Sequence, residues 1–570
     1  LHLVLVWIPA VLTILLSFTF WTGINFGDIK WAGLDNYTNI FTNTPAFYDA
    51  LRNNVIWLVW FALISTPAGV LLAYQIDRQI RGHRFYQSAY YFPVVLSLAV
   101  TGIIWNFMLR SDGFINGILG RDIDNAISFF GNYDINIYVI MVIASWRHVG
   151  YIMLLYLAGL KAIDPTLREA AAIDGATEWE TFRKVILPAM RPVNIIIVVI
   201  TIIESLRAFD IIYVIYGTSA GLPILGVLVF QNIAGEGASM KGAAYAVILF
   251  MLSIGPIIAY CDSNSARTCH DPFSAGGWLM TVTAPARNSQ VLKDRVITTF
   301  IGIFALLWIF PLAWTVWSSF RPYSEIRARG TFSLPERFGL FNYNNAIERM
   351  ELPTYLWNSF VITVPAVFLT LLFGSLIAFV VSRYSFRFNV GMLLLFTAGN
   401  LLPAQLVFIP VFKMYLNIGD LVGDRRFLFD SPWGVVLIHV AFQMGFATFV
   451  LSSYMKTIPK EISESALVDG ASVFRHYWSV MLPLLRPPLA SLAVLMTTWI
   501  YNDFFWALVL MSTDRKRPIT SALGRLTGEF VTDYNLLAAG AIIAALPTMI
   551  VFFVLRKQFV SGLTLGSTKG

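Results

Sequence analysis

Charge is what this chain has least of. Lys and Arg number 40 and Asp and Glu 33 in 570 residues, or 13%, where soluble domains carry about 25%. That shortage excludes an ordinary soluble domain, because even a very large core needs a charged surface. Cysteine is nearly absent as well: Cys261 and Cys269 share one polar stretch with no CxxC, so neither a disulfide framework nor a thiolate metal site is supported. Six scattered histidines show no ligand spacing, and no metal site is expected. No GxxxxGK[ST] run occurs, so any ATP must be held by another chain, and no HExxH run is present. No basic stripe accompanies the net charge of +7 and the pI near 9.2. Loops facing anionic lipid account for that excess better than nucleic acid does.

Apolar sequence is abundant instead. Hydrophobic residues make up 57% and mean hydropathy is +0.68, and the apolar runs are near 20 residues rather than alternating tens, which selects helices over a barrel. Six runs fall in the first half, at 1–21, 54–77, 87–109, 137–160, 192–217 and 243–260. Six more lie at 296–320, 357–382, 389–411, 432–455, 488–511 and 537–556. The expected fold is an all-α polytopic membrane protein of twelve transmembrane helices, as two pseudo-symmetric six-helix halves spanning 1–260 and 296–570. Residues 261–295 are polar, without a period of their own, and read as a cytoplasmic linker. Met280 within it resembles the start of an independent chain, so two subunits joined in one polypeptide are expected. The sequence opens at Leu1 inside an apolar run with no charged flank, which suggests a missing native N-terminus rather than a cleaved signal. Arg78, Arg81 and Arg84 in the short loop from Asp77 to Arg84 place that loop, and the N-terminus with it, in the cytoplasm.

Two polar stretches interrupt this pattern and say nearly the same thing. EAAAIDGATEWETFRKVILPAMRP runs from Glu169 to Pro192, and ESALVDGASVFRHYWSVMLPLLRP from Glu464 to Pro487. Without a gap they share Glu169/Glu464, Asp174/Asp469, Gly175/Gly470, Leu187/Leu482, Pro188/Pro483, Arg191/Arg486 and Pro192/Pro487. Too charged for lipid, each is a water-facing loop with the same task. Thr177-x-x-Glu180 spells a capping box opening a helix that Pro188 should end, and Gly175 permits a positive-φ turn before it. In the second copy Ser472 can cap, but Arg475 replaces the reciprocal glutamate.

The ordering Glu-x-x-x-x-Asp-Gly, a spacer, then Leu-Pro-x-x-Arg-Pro resembles the EAA loop of type I ABC importer permeases, in the carbohydrate-uptake class related to the maltose importer. The loops would occupy 161–191 and 456–487. GLDNY (Gly33 to Tyr37) and AFDIIYVI (Ala208 to Ile215) resemble the first permease of that class. FNY (Phe341 to Tyr343), YNDFFWAL (Tyr501 to Leu508) and the C-terminal QFVSGLTLGSTKG resemble the second. Ser465, where an alanine is expected, and Leu467 make the second loop less typical.

The resemblance implies a bacterial or archaeal plasma (inner) membrane and two partners besides membrane lipid. An ATPase subunit dimer would dock on the cytoplasmic side, holding the ATP and Mg that this chain does not bind, and an extracytoplasmic solute-binding (lipo)protein would deliver a sugar or sugar derivative. Glu169, Ala170, Asp174, Gly175, Glu464, Asp469 and Gly470 would couple to the ATPases. No catalytic residue is expected.

Polar and aromatic residues within spans are the candidates for a sugar path, since polar groups there are expensive without a task. They are Trp105, Asn106, Trp146, Arg147, Tyr151, Glu204, Asp210, Tyr213, Gln443, Asn502 and Asp503, with His148, Arg207, Tyr216, Asn400, Gln405 and Trp506 beside them. Against each stands a plain alternative. Aromatics pack helices, Glu204 and Arg207 are three apart and can neutralise each other, and Asp210 and Asp503 can serve helix breaks. Two other functions are weighed: an ion-coupled twelve-helix secondary sugar transporter, which would need no ATPase, and a membrane enzyme. For the enzyme the nearest acidic cluster, Asp420, Asp424 and Asp430, reads as a solvated loop.

Overall fold

The computed structural model describes residues 1–21, 29–78, 80–121, 123–217, 221–234, 240–265, 287–384, 386–400, 402–523 and 533–565. Long apolar runs become long helices, even across Pro311, Pro365, Pro410 and Pro547, since lipid leaves backbone groups no partner but each other. In the first half these are α1 (Ile8–Leu16), α2 (Pro45–Trp60), α3 (Thr66–Asp77), α4 (His83–Val95), α5 (Leu98–Leu109) and α6 (Asn136–Ala162). They continue as α7 (Thr166–Ile173), α8 (Arg191–Leu206), α9 (Asp210–Tyr216), α10 (Leu225–Ala234) and α11 (Lys241–Ser265). The second half holds α12 (Arg287–Ser319), α13 (Leu352–Arg383), α14 (Asn389–Gly399), α15 (Ala404–Val422) and α16 (Pro432–Thr457). After them come α17 (Lys460–Val468), α18 (Arg486–Tyr501), α19 (Phe505–Leu510) and α20 (Tyr534–Leu565). Among the described residues the only paired strands are Thr19–Phe20 and Lys30–Trp31. The linker assigned to 261–295 is helical to Ser265 and from Arg287; Met280 lies outside the described residues.

Seven described helices are long and apolar enough to cross a membrane, or nine if two bent pairs each count as one. Leu3–Leu16 and Lys241–Gly255 are apolar but shorter. The twelve expected runs are therefore not twelve rods. The run 87–109 is α4 and α5, meeting at 102°, because Leu96 and Ser97 are extended and the Ser97 hydroxyl caps α5 through the Val100 N–H at 3.1 Å. The run 389–411 straddles the break before Pro403 and Ala404, and 192–217 and 488–511 are broken at 207–209 and 502–504. Apolar length predicts immersion, but local caps and turns decide continuity.

The halves exchange their first helices. Thr13 on α1 donates to the Leu406 carbonyl, Trp7 to that of Leu395, and His2 bonds that of Ala441. Reciprocally, α12 receives Tyr90 at the Ile301 carbonyl and the Trp146 indole at the Trp308 carbonyl, both at 2.7 Å. A further clasp joins them beyond the end of α5. Arg110 pairs with Asp112, donates to the Tyr323 hydroxyl and lies 3.3 Å over the Tyr534 ring, while Thr331 donates to the Asp112 carbonyl. Phe114 fills the space beneath with Phe310 and Trp314 at 4.6 and 4.5 Å.

Candidate functional site

Each repeated loop folds into a helical hairpin. Helix α7 ends in a Schellman turn: Ala176 N–H bonds the Ala171 carbonyl, Gly175 N–H that of Ala172, and Gly175 takes φ +75°. Helix α17 ends identically, with Ala471 to Ala466, Gly470 to Leu467, and φ +76° at Gly470. The returning helix starts at Thr177, whose hydroxyl accepts from Glu180 N–H while the Glu180 carboxylate accepts from Thr177 N–H. Those bonds, led by the Thr177 N–H and followed by Lys184, hold the Glu180 carboxyl down at about 2. Ser472 accepts from Arg475 N–H at 3.3 Å, with no reciprocal arm. Pro188 does not end the first returning helix, nor Pro483 the second. Widened π turns at Thr181–Ile186 and His476–Met481 precede them, and the chain breaks later, at Met190 and Leu485. A widened turn bypasses the N–H that proline lacks.

Both hairpins are braced against the helix that descends to the same face. Arg168 meets Asp77 at 2.6 Å, Arg78 meets Glu178 at 3.0 Å, and Phe182 packs on Tyr74. In the second half Tyr477 bonds Ser375 at 2.6 Å and packs at a tilt on Phe379, while Arg383 donates to the carbonyls of Met455 and Ile458. Above these braces Glu169, Ala170, Asp174, Glu464, Asp469 and Gly470 are exposed.

Apolar residues at matched positions join them, and sequence reasoning passed these over. Ile173 and Val468 are 85% and 86% exposed, and Trp179 and Phe474 are 58% and 71%. Large side chains held open at corresponding corners of two polar hairpins form two small anchors of one design. The signal was in the gap-free alignment, which pairs Ile173 with Val468 and Trp179 with Phe474.

Within the spans, the structure gathers part of the predicted path. Glu204 bonds His148 at 2.8 Å, His148 reaches Thr66 at 3.1 Å, and Phe61 stacks on the imidazole. The carboxylate thus meets a histidine from α6 rather than forming the pair with Arg207 weighed from spacing. Arg147 and Arg207 lie within electrostatic reach of Glu204 and Asp210, and Asp503 within reach of Arg207. Tyr151 sits one turn beyond Arg147 on α6. Tyr213 contacts Phe504 across the halves at 5.6 Å, as Phe209 does Phe505 at 5.5 Å.

Trp105, Trp146, Asn502 and Asp503 are engaged in packing or capping. Trp146 on α6 is buried against α12, with Trp105 edge-on at 5.7 Å. Asn106 and Gln443 are half-buried on α5 and α16. Asp503 accepts from Trp506 N–H and so caps α19, its carboxylate 3.7 Å from His439. A cavity of about 10 Å³, room for one water, adjoins that carboxylate with Ser359, Thr363 and Tyr501. Asn502 donates to the Val95 carbonyl at 2.8 Å.

Of the acidic loop, Asp420 pairs with Arg425 and Asp424 caps a turn, but Asp430 is not solvated as expected. It is fully buried and accepts from Ser512, Thr513 and Lys516. The run GTSAG at 217–221 spells GxSxG, yet it follows helix α9 and not a strand, and residues 218–220 lie outside the described residues. Among the described residues no cluster of three metal-ligating side chains occurs.

Comparison with known proteins agrees with this duplicated design. The family described as "Binding-protein-dependent transport system inner membrane component" matches residues 3–261 and again 370–564. About half the chain, 49%, is 31% identical to 99% of the probable starch degradation products transport system permease protein AmyC of Thermoanaerobacterium thermosulfurigenes. A 48% share is 29% identical to 90% of the diacetylchitobiose uptake system permease protein NgcG of Streptomyces coelicolor. A solved bacterial ABC transporter that imports the acidic polysaccharide alginate matches 48% of this chain and 99% of its own at 23% identity, with a TM-score of 0.42.

Proposed function

The chain belongs to the binding-protein-dependent transport system inner membrane components, and from that premise we propose how it works. It is a multi-pass membrane permease of an ABC sugar importer, not itself an enzyme, and it carries two permease repeats. The proposal is that a separate ATPase pair, holding ATP and Mg, docks on the two hairpins. A solute-binding protein would deliver the sugar from outside. Each half would contribute six crossings once the broken and short helices are counted.

The observation that carries this reading is the matched pair of exposed corners, Ile173 with Trp179 and Val468 with Phe474, each flanked by Glu169 and Asp174 or Glu464 and Asp469. A rigid, braced hairpin converts movement of a docked partner into tilt of α8 and α18, which continue directly from it. Relatives named for starch products and diacetylchitobiose favour a neutral oligosaccharide or amino sugar. Glu204, oriented by buried His148, and Arg147 are the groups proposed to meet its hydroxyls, because carboxylate and guanidinium together serve both donors and acceptors.

Co-elution with the cognate ATPase tests the docking. Glu169→Lys combined with Glu464→Lys is expected to strip the ATPase from the purified permease while leaving the permease monodisperse. Unchanged co-elution would remove the hairpins from the docking assignment.

A further inference from the structure

Asn502 stands at the far end of the rod that leaves the second hairpin. From Val473–Leu484 the chain turns by 74° into α18, which runs without interruption from Arg486 to Tyr501. Asn502 is its C-cap, with φ −83° and ψ −1°. Its amide donates at 2.8 Å to the Val95 carbonyl in the other half. That carbonyl closes α4, just before the 102° corner to α5.

The chemistry of that bond is specific to its place. A helix broken inside the membrane leaves its last carbonyls without N–H partners, and neither lipid nor a neighbouring aliphatic can supply one. Leu96 N–H turns back to Pro93, and Ser97 caps the helix that follows. Asn502 supplies a donor to the Val95 carbonyl from the opposite half. At the equivalent position in the first half stands Arg207, the C-cap of α8, so the two ends of the pseudo-symmetric rods are chemically different.

We propose that Asn502 is a positioning residue that couples the second hairpin to the broken span α4/α5 of the first half. Resting on the importer reading above, the proposal makes α18 a pushrod: movement at Val473–Leu484 arrives at the first-half corner through one part-buried hydrogen bond. Asn502 is thereby assigned to coupling rather than to sugar contact, and the two hairpins are unequal in effect. The second ends in a directed hydrogen bond to the other half, while the first ends in Arg207, within electrostatic reach of Asp210 and Asp503.

The test uses the full chain assembled with its ATPase and binding protein in proteoliposomes. Asn502→Asp, nearly isosteric but without the donor, and Asn502→Ala are expected to keep assembly, sugar affinity and ATP hydrolysis within twofold. Sugar imported per ATP hydrolysed should fall at least tenfold, and Asn502→Gln should recover part of that ratio. An unchanged ratio, or a loss of sugar affinity at constant ratio, would overturn the proposal. Failure of the wild-type chain to bind any ATPase would instead refute the importer reading. Should the variants not fold, hydrogen exchange on the wild-type complex decides. Amides of Leu96 to Thr101 are expected to change protection between nucleotide-free and ATP-trapped states, and an unresponsive corner would overturn the coupling.

Discussion

Thr177 and Ser472 hold the same corner of two hairpins with different strength. Thr177 belongs to a reciprocal pair with Glu180, whereas Ser472 caps alone. Thr177→Ala should cost the first hairpin about 1 kcal/mol and Ser472→Ala no more than that. Hydrogen exchange over Glu178 to Lys184 and over Val473 to Ser479 would read the difference, with the first segment losing more protection. Asp430 makes a second residue-scale prediction. Burial pushes its carboxyl up, but the hydroxyl and N–H of Thr513, Lys516 and the Ser512 N–H outweigh it and hold it at about 2. A depressed carboxyl stabilises the folded state above its ordinary value near 3.8 and loses that contribution as pH falls towards 2. Acid unfolding between those values should therefore be shallower in Asp430→Asn, which starts less stable at pH 7. Equal profiles would show that the cluster at Thr513 and Lys516 does not depend on the charge.

Elements were legible where one physical term decides them. The hairpins could be read because Gly175, Gly470, Thr177 and Ser472 act locally, and the structure returns a Schellman turn at both glycines and a cap at both hydroxyls. Continuity of the spans was not legible. Nothing in the apolar run 87–109 announces that Ser97 will cap a new helix, and Pro188 and Pro483, which announce an end, are absorbed by π turns. Contacts between elements distant in sequence were hidden for the same reason: the bond from Asn502 to Val95 and the bond from Glu204 to His148 depend on packing. The clasp of Arg110, Asp112, Tyr323 and Tyr534 belongs here too. Its pair is mostly buried, so Arg110→Ala, which strands the Asp112 charge, should destabilise the joined halves by about 3 kcal/mol. Arg110→Leu with Asp112→Leu should cost less, read as thermal unfolding in detergent. Equal losses would mean that the aromatic packing, not the ion pair, holds the clasp.

At the scale of the whole molecule, two related halves exchange their first helices, touch through Phe209, Tyr213, Phe504 and Phe505, and present two hairpins of one design. A scarcity of charge placed the chain in a membrane, and a repeated polar segment within it supplied the division into halves. What distinguishes an ATP-driven importer from an ion-coupled transporter of similar size is where the work enters. In this account it enters at Ile173, Trp179, Val468 and Phe474 and travels along α8 and α18. The direct test is uptake of a labelled oligosaccharide into proteoliposomes containing this chain, its ATPase and its binding protein, with ATP supplied on the ATPase side and ionophores collapsing every ion gradient. The account predicts uptake that requires ATP, survives the ionophores and disappears in Glu169→Lys with Glu464→Lys. Uptake that proceeds without ATP and stops with the ionophores would contradict it.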